Sequence, residues 1–350
     1  MDRSKSFIAI PPGATIKEQI SDRGINQKEF SARMDMSEKH ISKLINGEVQ
    51  LTVDVARRLE MVLGLPTQFW CNLEAVYRET IAKINDENSM DEDMEIVKKI
   101  PYNEMSKNGW IEETIKPQDR VIRLRQYFEI VKLSLLKESF LPHIATRKLS
   151  MTEKSDFALL AWAQRAKLEA RYIKTKPINV NALMEYIPTI RAMTTEGPDV
   201  FCPELIKILS DCGIAMVFLP HIGGSFLHGA TFLDGKKIVV GLTVRGKDAD
   251  KFWFSLFHEL AHIILGHIDK QDDITDVDET LADEFAKNTL IPQKAYDNFI
   301  ANKEFSKTSM LEFARKEGID VGILVGRLQK ENHIQYNWHN DLKTKYELSA

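Results

Sequence analysis

Cysteine is scarce, with three residues in 350: Cys71, Cys202 and Cys212. They are too few and too scattered for a disulfide framework, and an odd number of free thiols fits a reducing cytoplasm. An excess of charge of one sign is also missing. Lys+Arg 47 against Asp+Glu 51 gives a formal net charge of −4. That excludes a globally basic nucleic-acid coat protein and leaves room only for local basic patches. Long hydrophobic runs are lacking too. The most apolar stretch, Phe252 to Leu265, is shorter than the ~18 residues of a membrane span and contains His258, Glu259 and His262. Met1 to Pro12 has no apolar core behind a basic start, so no signal peptide is expected. These absences predict a soluble, cytoplasmic protein with no membrane partner. What is present, 43% hydrophobic and 28% charged residues, suffices for two or three domains.

Residues 13 to about 80 read as short helices joined by tight turns. Ile16, Ile20, Phe30, Met34, Ile41, Leu44, Ile45, Val55, Leu59 and Val62 recur at helical spacing. Asn26 with Glu29 has the order of a capping box, and Gly24, Gly47 and Gly64 stand where helices should stop. Asn26 to Arg33, a turn at Met34-Asp35-Met36, and Ser37 to Ile45 form a candidate helix-turn-helix. In that arrangement Ala32, Ile41 and Leu44 pack inside. Gln27, Ser37, Lys39, His40 and Lys43 face outward, where they would meet bases and phosphates of double-stranded operator DNA. A small helical bundle that binds protein fits the same residues, because this segment is nearly neutral.

Asn85 to Glu95 is polar and acidic without an apolar period and reads as a boundary or linker. Residues 100 to 210 look mostly helical, broken by Pro177, Pro188, Pro198 and Pro203. Strand signals follow at Ile214 to Leu219, Gly229 to Phe232 and Ile238 to Val240, the last two separated by Asp234-Gly235. Helix returns at Ala249 to Gly266, Val277 to Leu290, Ser309 to Glu317 and Val321 to Glu331. The last pair reads either as packing helices or as a second helix-turn-helix.

His258-Glu259-Leu260-Ala261-His262 is an HExxH motif. Residues i and i+4 share a helix face, so two imidazoles can meet one ion. Glu259, roughly 100° round the helix, is placed to take a proton beside an open metal position. The helix is apolar nearly all round and therefore buried. Two readings of its polar residues compete: a zinc site, one ion per chain, or a hydrogen-bonded cluster without metal. A third histidine ligand is unavailable, since Leu265 and Ile268 occupy the later positions of HExxHxxGxxH and His267 falls nearly opposite His258 on the helix. A glutamate on the following helix is the other solution. Glu279 fills it, with Asp283 one turn on to accept the N–H of a ligand histidine. The competing role for Glu279 is a solvated acid at a helix start, like its neighbours Asp272, Asp273, Asp276 and Asp278. His228 and Tyr296 are candidate donors to a developing oxyanion.

Two resemblances cover most of the chain. Pro12-Gly13, Asn26 to Phe30, Ile41 to Gly47 and Phe69 to Leu73 resemble the Xre-type helix-turn-helix domain, close to the HigA antitoxin variety. Gly229-Ala230-Thr231, Phe252 to His262, Glu279-x-x-Ala282-Asp283-Glu284-Phe285-Ala286 and Leu290-Ile291-Pro292 resemble the ImmA/IrrE zinc metallopeptidases. One position departs: Trp253 stands where many stand-alone members carry a basic residue. The resemblance implies an α+β, mostly α chain with four segments. These are a helix-turn-helix domain (1–80), an acidic linker (81–100), a helical region packed on the peptidase (101–205) and a gluzincin-like domain with a small sheet (206–345). It further implies a homodimer that binds DNA and cleaves an Xre-type repressor in a stress, mobile-element or toxin–antitoxin setting. The alternative is an antitoxin or autorepressor that binds operator DNA and a toxin partner, its metal site structural or latent. A small-peptide aminopeptidase would leave the helix-turn-helix unexplained.

Overall fold

The computed structural model describes residues 3–4, 6–136, 153–223, 228–243, 248–269 and 274–346. The acids Asp272 and Asp273 lie outside them. The chain divides into two units, Met1–Asp93 and Met94–Ala350. Among the described residues, no helix is long and apolar enough to cross a membrane.

The first unit contains α1 (Pro12–Asp22), α2 (Gln27–Arg33), α3 (Glu38–Ile45), α4 (Val53–Leu63) and the start of α5 (Thr67–Val97). Caps set the boundaries. Asn26, Ser37 and Thr52 accept the N–H groups of Glu29, His40 and Val55. Asn26 lacks the returning half of a capping box, because the Glu29 carboxylate turns to Arg33. The core includes Ile16, Phe30, Met34, Ile41, Leu44, Leu59 and Trp70. Ala32 is exposed, contrary to its expected place inside; Ser31 is buried instead, its hydroxyl bonded to the Lys28 carbonyl. That internal bond is what lets a serine replace an alanine on the packed face.

Helix α1 crosses the end of α3 at Gly13, where a Cβ would lie 2.0 Å from the Ile45 carbonyl oxygen. Backbone cannot yield as a side-chain tip can. Gly13→Ala should therefore cost at least the roughly 1–3 kcal/mol of ordinary overpacking. Urea unfolding followed through Trp70 would read that loss. An unchanged midpoint would show that the two helices can part without penalty.

The acidic stretch expected as a linker is helical, part of α5. Ile84, Met90 and Val97 are buried about two turns apart, a sparser period than a short window detects. Glu74–Arg78 and Glu79–Lys83 pair along the same helix.

The second unit holds α6 (Tyr102–Lys107), α7 (Pro117–Phe128), α8 (Glu153–Ala170), α9 (Val180–Ala192) and α10 (Pro198–Asp211) before the sheet. Pro198 opens α10, but Pro188 and Pro203 lie inside helices rather than breaking them. The strands are β1 (Ile214–Phe218), β2 (Gly229–Asp234) and β3 (Lys237–Leu242), in the order β1-β3-β2. β1 pairs with β3 in parallel, and β2 and β3 form an antiparallel hairpin turning at Asp234–Lys237. Among the described residues, the α-helices after the sheet are α11 (Ala249–Ile264), α12 (Asp276–Leu290), α13 (Gln293–Ala301), α14 (Lys307–Glu317) and α15 (Val321–Lys330).

Strand alternation fixes the layers. Gly241 faces α8, where a Cβ would meet the Trp162 ring at 2.6 Å. Its neighbours Val240 and Leu242 point the other way, into the core shared with Phe252, Leu256 and Leu260 of α11. Helix α15 buries Ile323, Leu324, Val325 and Leu328 in that core, so the final helix pair packs rather than offering an open recognition helix. The sheet thus separates α8 from α11, and β2 runs along the helix that carries the motif.

Candidate functional site

In the first unit, α2 and α3 are joined by Met34-Asp35-Met36, with Asp35 at φ 51°. Arg58 of α4 donates to the carbonyls of Met34 and Asp35, tying the turn to the helix behind it. Ile41 and Leu44 are buried, which sends Lys39 and Lys43, one turn apart, to the opposite face. Gln27, Ser37, Lys39 and Lys43 are exposed and His40 is half-buried. Ser37 also has a local role, since its hydroxyl caps α3 through the His40 N–H at 3.2 Å.

In the second unit the structure brings His258, His262 and Glu279 together, one ligand atom of each lying within 4.8 Å of the others. Three forces assemble them. The 3.6-residue period stacks the two histidines on α11. Ala282 and Ala286, both fully buried, let α12 approach closely. A capping box between Thr275 and Asp278 starts α12 so that Glu279 falls in its first turn, aimed at α11. Glu279 is 7% exposed, so it is not a solvated helix-start acid.

The spacing suits a metal ion. His258 Nε2 and His262 Nε2 are 3.1 Å apart, and the Glu279 oxygens lie 3.4 and 3.5 Å from them. Tetrahedral ligands at zinc bond lengths of about 2.0–2.2 Å are separated by roughly 3.3–3.5 Å. Both Glu279 oxygens are buried and make no hydrogen bond among the described residues. A carboxylate in that condition calls for a cation. The donor set, two imidazoles and a carboxylate, fits zinc.

A carboxylate orients the first imidazole. His258 Nδ1 lies 2.9 Å from Asp283 Oδ1, which leaves Nε2 to face Glu279. Burial opposes charge on His258, but the Asp283 carboxylate bonded to it and the Glu279 carboxylate 3.4 Å away outweigh it and raise its pKa to about 10. Burial, followed by the charge on His258, pulls His262 down to about 4.

Glu259 is buried beside this group and accepts a hydrogen bond from the Thr231 hydroxyl. Thr231 sits opposite Val240 and therefore on the α11 face of the sheet. Gly229, two residues earlier on the same face, leaves the space that Glu259 fills; a Cβ there would lie 2.7 Å from Oε1. Burial pushes the Glu259 carboxyl up to about 7, against the pull of His258 and Thr231. A cleft of about 970 Å³ opens over the group, lined by His228, Phe254, His258, Glu259, Glu279 and Arg327 among others.

The helix-turn-helix family model matches residues 16–70. The uncharacterised HTH-type transcriptional regulator YddM of Escherichia coli (strain K12) is 32% identical over 63 residues, 18% of this chain and 67% of that protein. The chain belongs to the helix-turn-helix transcriptional regulators. A solved chain from Nostoc punctiforme PCC 73102, described as an antidote protein of a plasmid maintenance system, is 30% identical. That likeness covers 24% of this chain and 92% of that chain, with a TM-score of 0.23.

Within this helix-turn-helix regulator, several sequence expectations about the second unit change. Tyr296 does not line the cleft; it is buried under the Arg327 guanidinium, 3.8 Å from its ring centre. It is therefore not placed to donate to an oxyanion in the cleft. His228 does reach the cleft wall at the head of β2. Trp253 stays out of the cleft, packing against Phe201 and Phe252 and donating to Tyr346 Oη at 3.0 Å. His267, read from helical spacing as falling nearly opposite His258, reaches the second histidine, His262. Helical spacing ceases at Ile264, Gly266 takes φ 72°, and the turn carries His267 Nδ1 to 3.0 Å from His262 Nδ1. Thr231, His267 and Asp278 are the site-forming residues that helix periodicity could not reveal. Gly229-Ala230-Thr231 was legible as a motif, but its service to Glu259 depends on strand register.

Proposed function

We propose that this helix-turn-helix regulator carries a zinc-dependent endopeptidase of the ImmA/IrrE type in its second unit and cleaves an Xre-type repressor protein. The observation that supports this reading is the buried, donor-starved Glu279 carboxylate facing two imidazoles, with a second carboxylate, Glu259, against them. His258, His262 and Glu279 would hold the ion. Zinc held there supplies Lewis acidity and lowers the pKa of water to about 7. Glu259 receives a proton from water at the carboxylate and returns it to the leaving amine. The Thr231 hydroxyl keeps that carboxylate in one rotamer. Asp283 fixes the His258 tautomer, and His228 at the cleft wall is the candidate donor to a developing oxyanion.

On the DNA side, Lys39 and Lys43 act on phosphates, while Gln27, Ser37 and His40 meet base edges or sugars. Lys39→Ala and Lys43→Ala should each weaken binding across sequences and reduce the slope of log K against log salt by about 1. Fluorescence anisotropy on a duplex selected by the protein from a random pool would measure both. An unchanged slope in both variants would remove α3 from the DNA.

The peptidase reading is tested by elemental mass spectrometry after chelator-free purification, then by intact-mass analysis of Xre-type repressors incubated with the zinc-loaded protein. About one zinc per chain and new repressor fragments are expected. Zinc without fragments, and repression unaltered by Glu259→Gln, would favour an autorepressor or antitoxin with a structural metal.

A further inference from the structure

The arrangement around His262 differs from that around His258. His258 meets its carboxylate directly, through Nδ1 and Asp283 at 2.9 Å. His262 reaches no carboxylate through Nδ1; its neighbour there is another imidazole, His267 Nδ1, at 3.0 Å. The far nitrogen of His267, Nε2, lies 3.5 Å from Asp278 Oδ1. All three residues are buried, at 1%, 4% and 4% exposure.

We infer that His267 and Asp278 act as a relay that positions His262 as a metal ligand. The inference rests on the zinc reading above. The proton inventory allows one arrangement for a bound ion. His262 must present a bare Nε2 toward His258 and Glu279, so its proton sits on Nδ1. Nδ1–H then donates to His267 Nδ1, which must be bare. The His267 proton is thereby confined to Nε2, aimed at Asp278. Each ring nitrogen has one role, and the chain ends on an acceptor-only carboxylate. Asp278 serves two elements at once, since its other oxygen accepts from the Thr275 N–H and hydroxyl to start α12. The residue that begins the Glu279 helix therefore also orients the second histidine. This explains why a polar imidazole is buried past the end of α11, where a leucine would fill the volume more cheaply.

The test compares His267→Gln with His267→Leu. Glutamine can accept from His262 and donate to Asp278, whereas leucine fills space and does neither. Zinc affinity is measured by competition with a chromophoric chelator, and thermal unfolding of the metal-free proteins checks their fold. His267→Leu should bind zinc about 10–100-fold more weakly, the usual loss when a ligand's hydrogen-bond partner is removed. His267→Gln should stay within a few-fold of wild type. Equal affinity in the leucine variant, with wild type binding zinc, would overturn the relay and leave the zinc site standing. No zinc in wild type would overturn both. Nitrogen-15 NMR of the histidines in zinc-loaded wild type needs no variant: it should show His262 protonated at Nδ1 and His267 at Nε2. The reverse tautomer of His267 would refute the relay.

Discussion

On the proposed zinc reading, Glu279→Ala should yield a folded second unit that no longer retains zinc through chelator-free purification, whereas wild type should retain about one ion per chain. The alanine would remove one of the three proposed ligands and, with it, the charge that makes the pocket attractive to a cation. Its loss of affinity should exceed the roughly 10–100-fold expected of Asp283→Asn, which removes only the partner of His258. The order is the informative part. In a cluster without metal, Glu279 is instead the partner of a protonated His258, and wild type and Glu279→Ala would both come through purification without zinc. Zinc uptake also carries a proton signature. Metal-free His258 holds its proton up to about pH 10, and the ion needs that nitrogen bare. At pH 7.5 binding should release about one proton per zinc from this residue, and affinity should fall as pH falls. Titration calorimetry in two buffers of different ionisation enthalpy reads the proton count. A count of zero would mean that His258 is already neutral in the free site.

How much of this was visible in the chain depends on the kind of order each residue obeys. The pairing of His258 with His262, and of Glu279 with Asp283, follows from helical period, and both pairs converge in the structure. The α2–turn–α3 pattern was legible for the same reason, reinforced by Asn26 and Ser37 as caps. Order between elements was not legible. Thr231 touches Glu259 only because β2 pairs with β3 in one register and β3 turns Val240 toward α11. His267 reaches His262 only because a glycine reverses the chain where the helix stops. Tyr296 failed for a related reason: it lies on α13, a helix the sequence reading did not mark, and the Arg327 that covers it comes from another helix. The acidic part of α5 shows the limit of composition. Charge suggested a linker, yet the stretch is helical, with Met90 buried within it and Ile84 and Val97 buried at its two ends.

Glu259→Gln should keep its zinc and lose cleavage by about 10²–10⁴-fold, the usual contribution of a positioned proton acceptor. Glutamine preserves the shape, and its amide oxygen can still accept the Thr231 hydroxyl, so neither ligand geometry nor the β2–α11 contact should change. Two further readouts separate a proton-transfer role from a packing role. The first is the pH profile. Burial raises the carboxyl to about 7 in the metal-free site, and a bound cation draws it lower. Wild-type kcat/KM should therefore rise with pH on an acidic limb at or below about 7, and that limb should vanish in the glutamine variant. The second is stability without metal. A carboxyl raised from its ordinary 4.5 to about 7 costs the fold nothing below pH 4.5, an increasing amount as pH climbs to 7, and a constant amount above that. Glu259→Gln should thus match wild type in acid and melt higher at pH 8. A variant that is inactive yet gains no stability at pH 8 would mean that Glu259 is not held as a desolvated carboxylate. Its proposed role would then lose the environment that tunes it for catalysis.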